Sequence, residues 1–226
     1  MKNTIFILNY KIITFCCLII LFISPAYADF SKTWEIASPS VVSVLPTWPG
    51  YNKPGFGAPA GTAPEGSGVI VSNNGLIVTA SHVVSRATDV IVRDINGNRF
   101  NAEIIFDDPL TDIALMKTKI NINLKRPKIG SNTCLISNSF GLDLNITCGI
   151  VSSNRKSGIG FNSKEDFIQI DAAANPGSSG GAVVNENGEL IGIMSGIFTK
   201  QSDTNVGVNF AISSELLIET ISHLLK

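Results

Sequence analysis

Short runs rich in β-branched and apolar residues recur along most of the chain, separated by clusters of Gly, Pro, Asn, Asp and Ser. They cover residues 40–45, 67–71, 76–81, 89–93, 102–106, 113–117, 133–136, 146–152, 167–171, 182–185, 190–197 and 206–212. Runs of this length and spacing, with turn chemistry between them, predict an all-β sandwich or barrel. The 226 residues, 44% of them hydrophobic, suffice for one substantial core or for two small barrels sharing an interface. Only the end departs from this pattern. Ser214-Glu215 followed by Leu217, Ile218, Ile221, Leu224 and Leu225 predicts a short amphipathic helix.

The N-terminus has a different character. Lys2 and Lys11 precede or enter an apolar run from Ile12 to Ile23, and Ala26-Tyr27-Ala28 stands ahead of Asp29. This is the layout of a secretory signal, so residues 1–28 are expected to be a leader cleaved after Ala28, with one domain over residues 29–226. An uncleaved anchor to the inner membrane is the alternative, because the stretch from Thr4 to Ile23 is long. The formal net charge is −1, and loss of residues 1–28 removes two lysines and no acid, taking it to −3. With no basic patch and no basic-aromatic interleaving, nucleic acid is not an expected partner. No His/Cys cluster has metal-ligand spacing and no cofactor motif is found, so the chemistry falls to side chains alone. Cys16 and Cys17 lie within the leader, leaving Cys134 and Cys148 on what read as two arms of a hairpin. In an oxidising export compartment they either pair, closing a loop of about 15 residues for about 3 kcal/mol, or remain two buried thiols.

The stretch from Asp171 to Gly181 sets Ser179 among Gly177, Gly180 and Gly181. Glycines leave the main chain open, so a carbonyl can come close and N–H groups can point at it. Read alone, the stretch is equally a glycine-serine turn between strands. A partner for a nucleophilic serine lies upstream, where residues 75–81 read as a strand running into His82. The other histidine, His223, falls in the C-terminal helical pattern. Asp112 heads an alternating apolar strand, whereas Asp107 and Asp108 precede Pro109 and read as turn formers. His82, Asp112 and Ser179 thus follow the chain order of a chymotrypsin-type triad.

At these residues the chain resembles the HtrA/DegP serine proteases, a branch of the trypsin-like fold. The resemblance runs through Ala37-Ser38-Pro39-Ser40-Val41, Gly66-Ser67-Gly68-Val69, Thr79-Ala80-Ser81-His82-Val83-Val84 and Thr111-Asp112-Ile113-Ala114-Leu115. It continues in Ser139-Phe140-Gly141-Leu142, Gly149-Ile150-Val151-Ser152, residues 167–181, residues 185–193 and Val208-Asn209-Phe210-Ala211-Ile212. It implies two six-stranded barrels, about residues 37–118 and 126–212, followed by the helix over 213–226, with the site between the barrels.

The resemblance further implies an endopeptidase acting on unfolded or flexible exported polypeptides, in the periplasm or secreted, and a homo-oligomer, a trimer by analogy. A catalytically weak or inactive binding or chaperone module on the same fold is the competing reading. The oxyanion hole would be the N–H groups of Gly177 and Ser179, shaped by Ser178, which stands where relatives usually carry Asn. Ser195 would support the Asp112 carboxylate or serve only as a small core residue. Counting back from Ser179 places Ala173 where trypsin keeps an acid, and Ala174, Ile197 and Phe198 become pocket walls. Small or medium aliphatic side chains before the cleaved bond are expected, with the strand at Ser195, Gly196 and Ile197 pairing with extended substrate. The loop over residues 46–66, between the first two strands, reads as a surface loop or as a regulatory or oligomer-contact loop. No PDZ pattern follows the protease pattern, so no PDZ-mediated partner is expected.

Overall fold

The computed structural model describes residues 29–51, 63–72, 75–116, 127–199 and 205–224. The expected leader, most of the loop over residues 46–66 and Leu225 lie outside them. Helix α1 (Ser31–Ala37) leads through a 3-10 turn (Ser38–Ser40) into strand β1 (Val41–Thr47). Strands β2 (Gly66–Ile70) and β3 (Ile77–Ala80) follow, then a single helical turn, α2 (Ser81–Val84). Strands β4 (Asp89–Arg93), β5 (Arg99–Ala102), β6 (Ile104–Asp108) and β7 (Ile113–Met116) complete a seven-stranded antiparallel sheet ordered β5-β4-β1-β2-β3-β7-β6.

The second half is a closed six-stranded barrel ordered β10-β13-β12-β11-β8-β9. Its strands are β8 (Asn132–Ser137), β9 (Asn145–Lys156), β10 (Phe167–Ile170), β11 (Ala182–Asn185), β12 (Leu190–Thr199) and β13 (Asn205–Ser213). Closure gives every strand of this half a neighbour on each side, but β12 runs past the end of its pairing with β11 at Ile193. Helix α3 (Ser214–Ile221) follows, capped by the Ser213 hydroxyl, which accepts the Leu216 N–H at 3.1 Å.

The all-β architecture and the C-terminal helix agree with expectation. The first half differs in detail from a six-stranded barrel: the run over residues 102–106 breaks at Glu103 into β5 and β6, giving seven strands. His82 lies just past the exit of β3, within the helical turn that follows it. Asp107 and Asp108 close β6, and Asp108 also forms the turn, its carboxylate accepting from Leu110 N and Thr111 Oγ1.

The alternation of the strands places apolar side chains in three clusters. One fills the first sheet with Val42, Val44, Ile77, Val90, Val92 and Met116. Another fills the barrel with Leu135, Val151, Ile168, Ile170, Ile191 and Met194. The largest joins the halves, bringing Val69, Val78 and Leu115 against Ile136, Phe167 and Leu217. Phe167 is fully buried there, worth about 1.5–3 kcal/mol relative to exposure. Through this shared core the sheet and the barrel hold their facing loops in fixed relation.

Cys134 and Cys148 face each other across β8 and β9 and are joined by a disulfide. The same pairing brings the loop over residues 138–144 back over the end of the barrel.

Candidate active site

Asp112 ends the turn that begins at Pro109, with a backbone φ of +60° that Asp tolerates better than most side chains. The turn aims its carboxylate at α2. It accepts the backbone N–H of His82 at 3.0 Å, and its two oxygens lie 2.9 and 3.0 Å from His82 Nδ1. Ser195 Oγ donates to Asp112 Oδ2 at 2.5 Å. Because a carboxylate only accepts, Nδ1 carries the proton and Nε2 is left with its lone pair. Asp112 is buried, while the His82 side chain is 52% exposed, so the imidazole presents that lone pair to the cleft.

Ser179 comes from the barrel half. The segment ahead of it forms a turn with Pro176 and Gly177 at its centre, closed by Ser178 N–H to Asn175 O at 2.8 Å. Gly177 has φ +93°, the value a type II turn requires at that corner. A Cβ on Gly180 would overlap the Ser67 carbonyl and Thr79 Oγ1. These contacts explain two of the glycines that frame the serine. Neither Gly177 N–H nor Ser179 N–H donates to a protein acceptor among the described residues, which leaves both for an incoming oxygen. Ser179 Oγ donates to the Ser195 carbonyl at 3.5 Å, and no hydrogen bond joins it to His82.

Ser178 contributes a side chain as well as a backbone. It is buried, and its Oγ accepts from Asn175 N at 3.1 Å and joins Ser137 Oγ and Ser139 Oγ at 3.1 and 3.0 Å. The hydroxyl ties the turn to Ser139 in the loop over residues 138–144 and to Ser137 at the end of β8.

That loop is the second support. Phe140 N–H donates to Pro176 O at 2.7 Å, and a Cβ on Gly177 would overlap Asn138 O. Ser67 joins the halves here, accepting Asn138 N–H at 2.8 Å and donating to Gly177 O at 2.7 Å. From just ahead of β2, Glu65 accepts Asn138 Nδ2 at 2.6 Å and pairs with Arg93 of β4 at 3.4 Å. Arg93 also holds Asp143 at 2.9 Å. Ser67, Glu65 and Arg93 were not legible as site residues, since only the fold brings them to this loop.

A cleft of about 540 Å³ runs beside the imidazole, lined by His82, Asp112, Ser195, Gly196 and Ile197 together with Phe161 and Asn162. Phe161 is seated against Gly196, where any Cβ would strike its ring. Its loop is held by Glu165, whose carboxylate accepts the N–H groups of Ile159, Gly160, Phe161 and Asn162 at 2.7–3.2 Å. Partial burial alone raises the Glu165 pKa, but the four backbone donors together outweigh it and hold the carboxyl below its ordinary value.

Of the expected pocket residues, Ala174 is buried and shares an apolar cluster with Ile197. Ala173 is exposed, its carbonyl accepting Thr147 Oγ1 at 2.7 Å. Phe198 is 55% exposed and belongs to none of the three clusters. His223 stacks edge-on against Phe106, with ring centroids 5.8 Å apart.

The pattern of the trypsin-like peptidase domain matches residues 66–193. The periplasmic serine endoprotease DegP of Escherichia coli is 41% identical over 170 residues, covering 71% of this chain and 36% of DegP. The serine endoprotease DegS of Escherichia coli is 36% identical over 213 residues, covering 88% of this chain and 58% of DegS. The solved HtrA-type protease AlgW with tripeptide superposes with a TM-score of 0.76 at 34% identity, covering 88% of this chain and 64% of that one. A serine endoprotease from Yersinia pestis superposes at 0.70 with 33% identity, covering 87% of this chain and 66% of that one. The chain thus spans well under two thirds of both curated relatives.

Proposed function

The chain belongs to the trypsin-like peptidase family, in its HtrA/DegP branch, and on that premise we propose that it is a serine endopeptidase using Ser179, His82 and Asp112. The observation that carries this reading is the buried Asp112 carboxylate, bonded at once to His82 Nδ1 and Ser195 Oγ beside a glycine-framed serine. In the reaction, Ser179 Oγ attacks a peptide carbonyl while His82 Nε2 takes its proton. Asp112 holds the imidazole tautomer and stabilises the imidazolium. The oxyanion is received by the N–H groups of Gly177 and Ser179, each such donor being worth about 2.7–4 kcal/mol in the transition state. His82 then returns the proton to the leaving amine, and water hydrolyses the acyl-enzyme.

The substrates are unfolded or flexible exported polypeptides. The support is the accessible strand at Ser195–Ile197, which pairs only with extended backbone, together with the periplasmic DegP relative. An oligomer of the same chain, a trimer by the family resemblance, belongs to the same reading.

A binding module without turnover is the second reading, and the direction of Ser179 Oγ toward Ser195 O is the observation on its side. Incubation with casein and labelling by an organophosphonate separate the two. Labelled Ser179, located by peptide mass mapping, with cleavage lost in Ser179→Ala, supports the endopeptidase; an unlabelled, folded protein that binds casein without cutting it supports the module.

A further inference from the structure

Strand β12 keeps β13 as a partner out to Thr199, but its pairing with β11 ends at Ile193, and the bonds of Met194 to Gly180 and Gly181 close that side. From Ser195 onward the edge facing the cleft has no strand beside it among the described residues. Ser179 Oγ lies 3.5 Å from Ser195 O, so the residue whose carbonyl it attacks stands level with Ser195. Because Met194 is already engaged, the substrate residues ahead of that one can extend only along Gly196 and Ile197, antiparallel to β12. The second residue before the cleaved bond then opposes Gly196.

Opposed residues of an antiparallel pair project to one face, with Cβ atoms about 4.5–5.5 Å apart. At Gly196 that face is taken by the Phe161 ring: a Cβ there would come within 2.6 Å of Phe161 Cε2 and 2.7 Å of Cδ2. Strand β12 thus offers no side chain of its own at this point, and the loop over residues 159–162 supplies one instead. The ring is fixed from behind, edge-on to Phe210 at 5.6 Å and to Phe167 at 6.2 Å, both of them buried. The loop is also tied to the half that carries His82, since Asn162 Nδ2 reaches Thr111 O at 3.4 Å and Lys164 N–H donates to Leu110 O at 2.9 Å. Phe161 nevertheless stays 41% exposed and lines the same cleft as His82.

We propose that Phe161 is the specificity-determining wall for the second residue before the cleaved bond, and that it selects a large apolar side chain there, Leu, Met or Phe, over Gly, Ser or Asp. This rests on the endopeptidase reading. A large apolar side chain opposite Gly196 covers the exposed part of the ring, so both partners withdraw apolar surface from water. A hydroxyl or carboxylate at that position exchanges water for ring carbon and gains no hydrogen bond in return. Glycine leaves the ring uncovered.

The test is a peptide library varied only at the second residue before the cleaved bond, read as kcat/KM for the parent chain, Phe161→Ala and Phe161→Leu, with phosphonate labelling of Ser179 beside each measurement. The parent should cut the Leu peptide about tenfold better than the Gly peptide, the lower end of what an apolar pocket decides. Phe161→Ala should bring that ratio down to about one or two, and Phe161→Leu, which keeps an apolar wall, should hold an intermediate value. The ratio is blind to any uniform loss of turnover. Discrimination at the residue directly before the bond, whose side chain projects to the other face, should not move. A labelled Phe161→Ala with the parent's ratio overturns the proposal, as does a parent that labels and cuts without favouring large apolar residues, a result that stands even if neither variant folds. A folded parent that neither labels nor cuts overturns the endopeptidase reading, and the subsite with it.

Discussion

Ser195 Oγ, from the barrel, donates to Asp112 Oδ2, from the sheet, at 2.5 Å, so the carboxylate that orients His82 is itself oriented from the opposite half of the molecule. The bond is buried and charge-assisted. Ser195→Ala leaves one carboxylate oxygen short of a donor, at a cost of about 1–3 kcal/mol. The expected result is a lower thermal midpoint and a kcat reduced about tenfold, with KM nearly unchanged, since the main chain at Ser195, proposed to pair with substrate, is retained. Ser195→Thr, which keeps the hydroxyl, should recover part of kcat.

Asp112→Asn tests the tautomer argument. Asn tolerates the left-handed backbone at φ +60°, so the turn should survive. An amide that offers N–H toward Nδ1 favours the wrong tautomer and leaves Nε2 without its lone pair. The rate of casein cleavage should fall about 10⁴-fold at neutral pH while circular dichroism stays unchanged. An effect smaller than tenfold would mean that Asp112 does not orient the base.

The turn at Pro176 and Gly177, proposed above to receive the oxyanion, is propped from the first half through Arg93, Glu65 and Asn138. Arg93 and Glu65 are 17% and 25% exposed, so their pair is less screened than a surface ion pair, whereas Asp143 is 81% exposed. Arg93→Ala should free the loop over residues 138–144 and with it the seat of Gly177. The expected signature is a kcat lowered by about tenfold with little change in KM, and slower phosphonate labelling of Ser179. Arg93→Lys, which keeps the charge but loses the fork, should be intermediate.

How much of this was legible depends on whether the cause is local. Ser179, His82 and Asp112 stand out because a glycine-framed serine, a strand exit and an acid before an apolar strand are short-range patterns, and because His82 and His223 are the chain's only histidines. The strands were legible from the length, composition and spacing of their apolar runs. Helix α1 was not: it has no side-chain cap and is fixed by a tertiary bond from Thr33 Oγ1 to Glu186 O. The break at Glu103 was equally hidden, since the apolar run continues across it. Phe161 reaches Gly196 from a separate loop, and nothing in its own neighbourhood announces that contact.

The Cys134–Cys148 bridge closes a loop with a sequence separation of 14, which contains the residues that seat Gly177. Replacing both cysteines by Ser should lower stability by about 3 kcal/mol through the freed unfolded chain. Urea denaturation checks the figure, and intact mass before and after alkylation without reductant checks the pairing. Activity at low temperature should change less than stability, because the β8–β9 ladder still spans the loop.

Glu165 gives the site an acid limit. Its folded-state pKa is lowered, so its contribution to stability is fully present above the unfolded value near 4.3 and is lost as pH falls through the folded value. Protonation removes a carboxylate that holds four main-chain N–H groups and, through them, Phe161 against Gly196. At pH 7, Glu165→Gln should imitate that loss: one oxygen remains to accept, the charge is gone, and the loop over residues 159–162 loosens beside the substrate strand. KM for an extended peptide should rise several-fold with kcat little changed, and hydrogen exchange at Gly160 and Phe161 should accelerate. Once the pH is far enough below the unfolded value of about 4.3 that the folded carboxyl is protonated as well, the parent and the variant should exchange those amides at similar rates. A variant indistinguishable from the parent at pH 7 would show that the carboxylate does not hold this wall of the cleft.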